Sequence, residues 1–169
     1  MRIARDPNMF RFLSSCAPSA PIVLGDARLT LGASTQQFDL IVLDAFSSDA
    51  IPSHLLTREA LRGYLARLTP HGIIVAHISN RHLELASVVA AVGAAEGLVA
   101  VQRVDETVTQ AMTGFRSAAH VAALARNEAD LGALVSAAGW QRMTGGAVAA
   151  WTDDYSDIMG AMRRKKFGR

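Results

Sequence analysis

Two apolar runs separated by one helical pattern restrict this chain more than any other feature. Phe38, Asp39, Leu40, Ile41, Val42 and Leu43 lead into Asp44, and Gly72, Ile73, Ile74, Val75, Ala76, His77 and Ile78 form the second run. Neither alternates polar with apolar, as a strand with one wet face would. Both are therefore expected to be buried on two sides, in a parallel sheet sandwiched by helices. Between them Thr57 is a good N-cap, and Leu61, Tyr64, Leu65 and Leu68 recur at helical spacing until Pro70 and Gly72. Strand, helix and strand in this order predict a right-handed βαβ crossover.

The pattern extends along the chain. Residues 83–96 predict an Ala-rich helix ended by Gly97, residues 98–101 and 118–125 predict strands, and residues 106–117 a connecting loop. Residues 128–138 predict a short helix closed by Gly139, and residues 21–24 a short strand ending at Gly25 and Asp26. With 169 residues the chain has room for one domain with a real core. Aromatics supply only 6% of it, so aliphatic side chains build the interior, which favours helices on a sheet. The expected class is α/β, Rossmann-like, with a mostly parallel sheet flanked by helices.

Net charge is a poor guide to partners here. The chain carries 17 Lys and Arg against 15 Asp and Glu, but Arg163, Arg164, Lys165, Lys166 and Arg169 fall in the last seven residues. We read residues 163–169 as a solvated, frayed basic tail beside a mildly acidic domain spanning residues 1–162, and expect no nucleic-acid partner. Cys16 is the single cysteine, which excludes an internal disulfide and any multi-cysteine metal site. Residues 87–101, the most apolar stretch, are broken by Glu96 and Gly97 and fall short of a bilayer span of about 20 residues. No membrane segment is expected, and the expected location is cytoplasmic.

In open α/β sheets ligands bind beyond the carboxyl ends of the strands. Asp26 and Asp44 lie at such ends, where a carboxylate accepts from an adenine amino group, a ribose hydroxyl or an ammonium, or else caps the following helix or turn. The loop from Asp44 to Pro52 adds Asp49. Two carboxylates in one small polar loop suit anchoring an amine with one acid and taking its proton with the other. Two acids alone specify a magnesium ion poorly. The five histidines form no metal pattern, and His77 is expected to be a satisfied strand-end or core residue. Asn80 and Arg81 suit either a substrate contact or a turn.

FDLIVLDAFSSDAIPSHLLTREAL, YLARLTPHGIIVAHISNR, VLGDARLTL and the late WTDDYSD together resemble the spermidine-synthase-like proteins, relatives of the polyamine aminopropyltransferases. The resemblance runs from about Ile3 to Met162. It implies a methyltransferase-like fold using decarboxylated S-adenosylmethionine or S-adenosylmethionine, with a small-molecule amine as substrate and no metal. By the same resemblance Asp26 and Ala27 contact adenine, Pro52 flanks the nucleotide, and Asp44 and Asp49 are the catalytic acids. Asp153, Asp154 and Tyr155 match late-chain substrate contacts. The chain departs from the family in two ways. The family's synthases place the two catalytic acids closer together, and no G-x-G-x-G turn occurs anywhere in the sequence. The first two strands of the fold are therefore expected to be lacking, leaving residues 38–43 as a bare hydrophobic edge completed by an upstream segment or a homo-oligomer. Aminopropyl transfer is the expected activity. Methyl transfer to a small molecule and a catalytically silent assembly domain are the alternatives.

Overall fold

The computed structural model describes residues 6–45, 53–106, 109–111, 114–116, 118–146 and 148–168. The helix expected between the two apolar runs forms as α3, Arg58–Arg67, with α1 (Arg11–Cys16) and α2 (Ala27–Ala33) before it. Thr57 Oγ1 accepts the Ala60 N–H at 3.2 Å, satisfying a donor that the first helical turn leaves free. The helix turns its buried Ala60, Leu61 and Tyr64 to the sheet. At its other end the Arg126 guanidinium donates to the carbonyls of Leu65 and Thr69, each at 2.7 Å, so the helix-to-strand junction keeps its hydrogen bonds.

Strand β1 is Phe38–Leu43 and β2 is Leu68–His77. They pair in parallel, with Leu40 opposite Ile73 and Leu43 opposite Ala76, and the register slips between Phe38 and Leu40. That irregularity holds Pro70 and Gly72, so Pro70 lies inside β2 where a regular ladder would reject it. A β-carbon on Gly72 would stand 2.6 Å from Leu68 Cγ and 3.0 Å from the Phe38 carbonyl oxygen, so the close approach needs glycine.

The remaining strands are β3 (Val99–Asp105), β4 (Thr109–Ala111), β5 (Gly114–Arg116), β6 (Ala119–Ala125) and β7 (Trp140–Arg142). The main sheet runs β1-β2-β6-β3-β7, and β4 pairs with β5 as a separate hairpin where the sequence reading has only a loop. The expectation of a mostly parallel sheet is corrected here. Only β1–β2 is parallel, while β2–β6, β3–β6 and β3–β7 are antiparallel. The physical reason is insertion. β1, β2 and β3 all point the same way, as the βαβ pattern demands, but β6 returns through the hairpin and lodges between β2 and β3. Apolar runs report burial, not the direction of the neighbour.

Burial also differs from expectation at β1. Ile41 is buried, yet Leu40 and Val42 are 55% and 57% exposed, so this strand is covered on one face only. Residues 21–24 form no strand, with Val23 and Leu24 more than 70% exposed, and among the described residues no strand lies on the outer side of β1. Helix α4 is Ala86–Ala95, shorter at both ends than expected, and residues 128–138 form helix α5 (Glu128–Leu131) followed by a 3-10 turn, Gly132–Val135. The basic residues Arg163 to Lys166 are not frayed: they lie in α6, Ile158–Phe167, capped by Asp157. No helix among the described residues is long and apolar enough to cross a membrane.

The main core lies between the sheet and α3 and α4, with Ile74, Ala60, Val88 and Ala122 at 0% exposure and Trp151 at 1%. A smaller cluster of Val101, Ala123, Ala125 and Leu131 covers the opposite face. Ile74→Ala is expected to cost roughly 2–5 kcal/mol, because the buried site cannot fully collapse. Val42→Ala, on the open face, is expected to change stability by less than about 0.5 kcal/mol. Urea unfolding midpoints of the two variants measure both, and similar losses would contradict the one-sided burial of β1.

Candidate functional site at the carboxyl ends of the parallel pair

Because Leu43 lies opposite Ala76 in parallel register, the next residues, Asp44 and His77, emerge side by side. Asp44 Oδ1 and His77 Nδ1 are 2.9 Å apart, and His77 Nε2 is 2.7 Å from Ser79 Oγ. The His120 backbone N–H donates to the same Ser79 Oγ at 2.7 Å. An ionised carboxylate only accepts, so the Asp44 contact places a proton on Nδ1 of His77. In the neutral ring Nε2 then accepts the Ser79 O–H, while the Ser79 oxygen accepts the His120 N–H. The histidine expected to be satisfied at a strand end is so, and one of its partners is a candidate catalytic acid.

Asp44 also lines a cleft of about 500 Å³ over the open side of β1, with Gly25, Ala27, Leu31, Leu40 and Tyr64 among its walls. Its size is in the range of small-molecule pockets, and its lining is largely apolar. Asp26 stands at the N-terminus of α2, where Oδ1 accepts the Arg28 and Leu29 N–H groups at 2.9 and 3.0 Å. Those backbone donors, the Leu29 contact foremost, hold its carboxyl below the usual range. Oδ2 lies 3.3 Å from His54 Nε2, so both oxygens of Asp26 have a partner, and its neighbours Gly25 and Ala27 line the cleft. Tyr64 is pushed up to about 12 by burial, and its hydroxyl donates to the Leu55 carbonyl at 3.1 Å. Asp49 and Pro52 lie outside the described residues.

The late WTDDY segment closes this end of the molecule. Trp151 is buried and its carbonyl accepts the Arg58 N–H at 2.9 Å. A tight turn follows, with Thr152 N–H donating to the Tyr155 carbonyl at 2.8 Å. Asp153, although exposed, receives both Arg28 Nη atoms, at 2.7 and 2.6 Å, and the Thr57 hydroxyl at 2.7 Å. Its own N–H donates to Glu59 at 3.0 Å. Asp153 thus joins α2, α3 and the last loop, while Asp154 and Tyr155 are exposed at the turn. Arg28, Thr57 and Glu59 were not singled out with it in the sequence, and no spacing rule would pair residues so far apart.

A second hollow, of about 670 Å³, opens on the other side of His77, lined by His77, Ser79, Asn80, Arg81, Asp105 and Lys165 among others. His120 borders it, held below the usual histidine range chiefly by burial, with Nε2 2.8 Å from Gln102 Oε1. Among the described residues no group of three or more His, Cys, Asp or Glu side chains is arranged to hold a metal ion.

A five-stranded sheet with β6 inserted antiparallel, helices on its faces and acids at its carboxyl ends defines a methyltransferase-like α/β protein. Comparison with known proteins narrows the class. No family model matches the chain. A polyamine aminopropyltransferase of Vibrio vulnificus (strain CMCP6) is 43% identical over 56 residues, covering 31% of this chain and 19% of that protein. The crystal structure of a probable spermidine synthase from Corynebacterium glutamicum ATCC 13032 superposes with a TM-score of 0.57 at 19% identity, covering 93% of this chain and 61% of that one. The two matches support a spermidine synthase-like family, and the chain spans less than two thirds of either relative.

Acid should loosen the Asp153 junction in a defined window. Its carboxyl is lowered from 3.8 to about 2, first by the Arg28 hydrogen bonds and then by Thr57. A depressed folded-state value means the contribution is complete above pH 3.8 and is lost as pH falls through about 2. Asp153→Asn is expected to unfold more readily at neutral pH than the parent and to lose less on acidification below pH 4. Thermal melts across that range measure the difference, and parallel acid limbs would count against the junction.

Proposed function

We propose that this protein is a spermidine synthase-like transferase that moves an aminopropyl group from decarboxylated S-adenosylmethionine to a small-molecule amine. The observation that carries the reading is Asp44, fixed at the end of β1 by His77 through one oxygen while lining the cleft beside Ala27. The partial matches to an aminopropyltransferase and to a probable spermidine synthase support it.

In this reading the adenosyl group lies in the cleft over β1, against Ala27 and Leu31, and Asp26 and Pro52 are the residues that the family resemblance assigns to holding it. Asp44 Oδ2 takes one proton from the acceptor ammonium, and Asp49 assists in anchoring it. The freed lone pair forms a C–N bond at the propyl carbon attached to sulfur. The C–S bond breaks, its electron pair neutralising the sulfonium, and methylthioadenosine and the secondary ammonium leave. The proton on Asp44 then returns to solvent. His77 makes Asp44 single-minded, because Oδ1 is occupied and only Oδ2 can meet the amine. Asp153 holds the floor beneath, and Asp154 and Tyr155 are available to substrate from the turn. Among the described residues no strand pairs with the outer edge of β1, which supports a further strand there, from a second copy or another segment, as part of the working unit.

Asp44→Asn keeps an oxygen for the His77 N–H but cannot take a proton. Its expected effect is a loss of turnover of about 10²–10⁴-fold with the melting temperature nearly unchanged. Steady-state assay of methylthioadenosine release, beside calorimetric unfolding, checks it, and full activity would remove Asp44 from catalysis. Titration calorimetry with the decarboxylated donor and with S-adenosylmethionine is expected to favour the former. A preference for S-adenosylmethionine would point to methyl transfer, and no heat with either would point to a silent domain.

A further inference from the structure

Helix α6 is fastened to the body along one side. The Glu84 N–H donates to the Ala161 carbonyl at 3.0 Å, and Arg164 Nε meets Glu84 Oε2 at 3.4 Å. Gly160 and Ala161 are the buried residues of the helix, and Arg164 is partly buried. At about 100° per residue these three fall on the same side. The opposite side carries Ile158, Met159 and Met162, all exposed and Met159 by 65%, together with exposed Arg163, Lys165 and Lys166. Among the described residues none of these three cations is in an ion pair, the pairs of this helix being made by Arg164. No Asp or Glu occurs between Ile158 and Phe167, and the carboxylate of the preceding Asp157 is used on the Gly160 N–H at 2.7 Å.

Three long-stemmed cations and three apolar side chains on one acid-free arc match a surface that is anionic outside and apolar just beneath. We infer that the outer face of α6 docks on an anionic lipid bilayer. Ile158, Met159 and Met162 enter the boundary of the acyl chains, while Arg163, Lys165 and Lys166 reach the headgroup phosphates with their methylene stems in the apolar layer. Ten residues make a helix of about 15 Å, half the thickness of a bilayer core, so the contact runs along the surface. A nucleic-acid backbone would reward the cations but leave both methionines in water. A second copy meeting this face by two-fold symmetry would set like charges against one another. Each cation near an anionic surface contributes about fivefold in affinity, so three give a preference of about 10²-fold over a neutral bilayer. Nothing in this docking depends on the transferase chemistry.

Co-sedimentation of the full chain with large vesicles measures the partition. Vesicles of two parts phosphatidylcholine to one part phosphatidylglycerol are expected to bind about 10²-fold more strongly than phosphatidylcholine alone. Salt at about 1 M, where the Debye length is about 3 Å, is expected to remove that preference. Two sets of substitutions separate charge from insertion. Arg163→Gln, Lys165→Gln and Lys166→Gln together are expected to abolish the preference for the anionic vesicle. Met159→Gln with Met162→Gln is expected to weaken binding at least about tenfold. All five side chains are exposed, so both variants are expected to melt close to the parent, which shows that α6 is still in place. No binding of the parent to anionic vesicles, a preference that survives the charge substitutions, or binding indifferent to the methionine pair would each overturn the docking. Self-association of the parent in the absence of lipid, lost with the same substitutions, would assign the face to a second copy and overturn it as well.

Discussion

The parallel pairing of β1 with β2 is the constraint on which the rest of the structure depends. It brings the ends of two sequence-distant strands together in one register, with Leu43 opposite Ala76, and thereby makes Asp44 and His77 neighbours. A slip of one residue would turn either side chain to the opposite face and break the contact. The pairing is close enough at its other end that only glycine fits at position 72. Backbone packing at the base of the two strands and acid–imidazole geometry at their tips are thus two ends of one alignment.

Around that pair the molecule is locked by its last segment. Trp151 is buried against the sheet-facing helices, and its carbonyl and the Asp153 carboxylate bind the first turn of α3 and the Arg28 fork of α2. A fork of two guanidinium nitrogens on one carboxylate fixes orientation as well as distance. These contacts tie α2, which walls the cleft, to the crossover that builds the parallel pair. The WTDDY loop is therefore joined to α2 and α3 through a few polar contacts, several of them half-exposed.

The two hollows are linked through one contact, since Asp44 lines the cleft over β1 and its partner His77 lines the other. The cleft over β1 is mostly apolar, whereas the larger hollow, to which α6 contributes Lys165, has charged groups of both signs. Helix α6 contributes Lys165 to that second hollow, which gives the basic end of the chain a place in the domain. The insertion of β6 between β2 and β3 is what creates the second space, since its first residues and Ser79 meet through the His120 N–H.

Much of this was legible in the residues themselves. Continuous apolar runs, helical spacing and the Thr57 cap are local properties of the chain, and they located β1, α3, β2 and β3 and the acids at the strand ends. The WTDDY and DAFSSDAIP segments carried the family likeness on side-chain identity alone. Hydrophobicity, however, reports how much an element is buried and says nothing of which neighbour buries it. The antiparallel β6, the open face of β1 and the coil at residues 21–24 were hidden for that reason. The same holds for the candidate site. Sequence placed Asp44 at a strand end and left His77 as a strand-end or core residue, but their 2.9 Å contact, the Arg28–Asp153 fork and the mixed charges beyond His77 join residues far apart in the chain. Only the packed sheet, which converts register into distance, could bring them together.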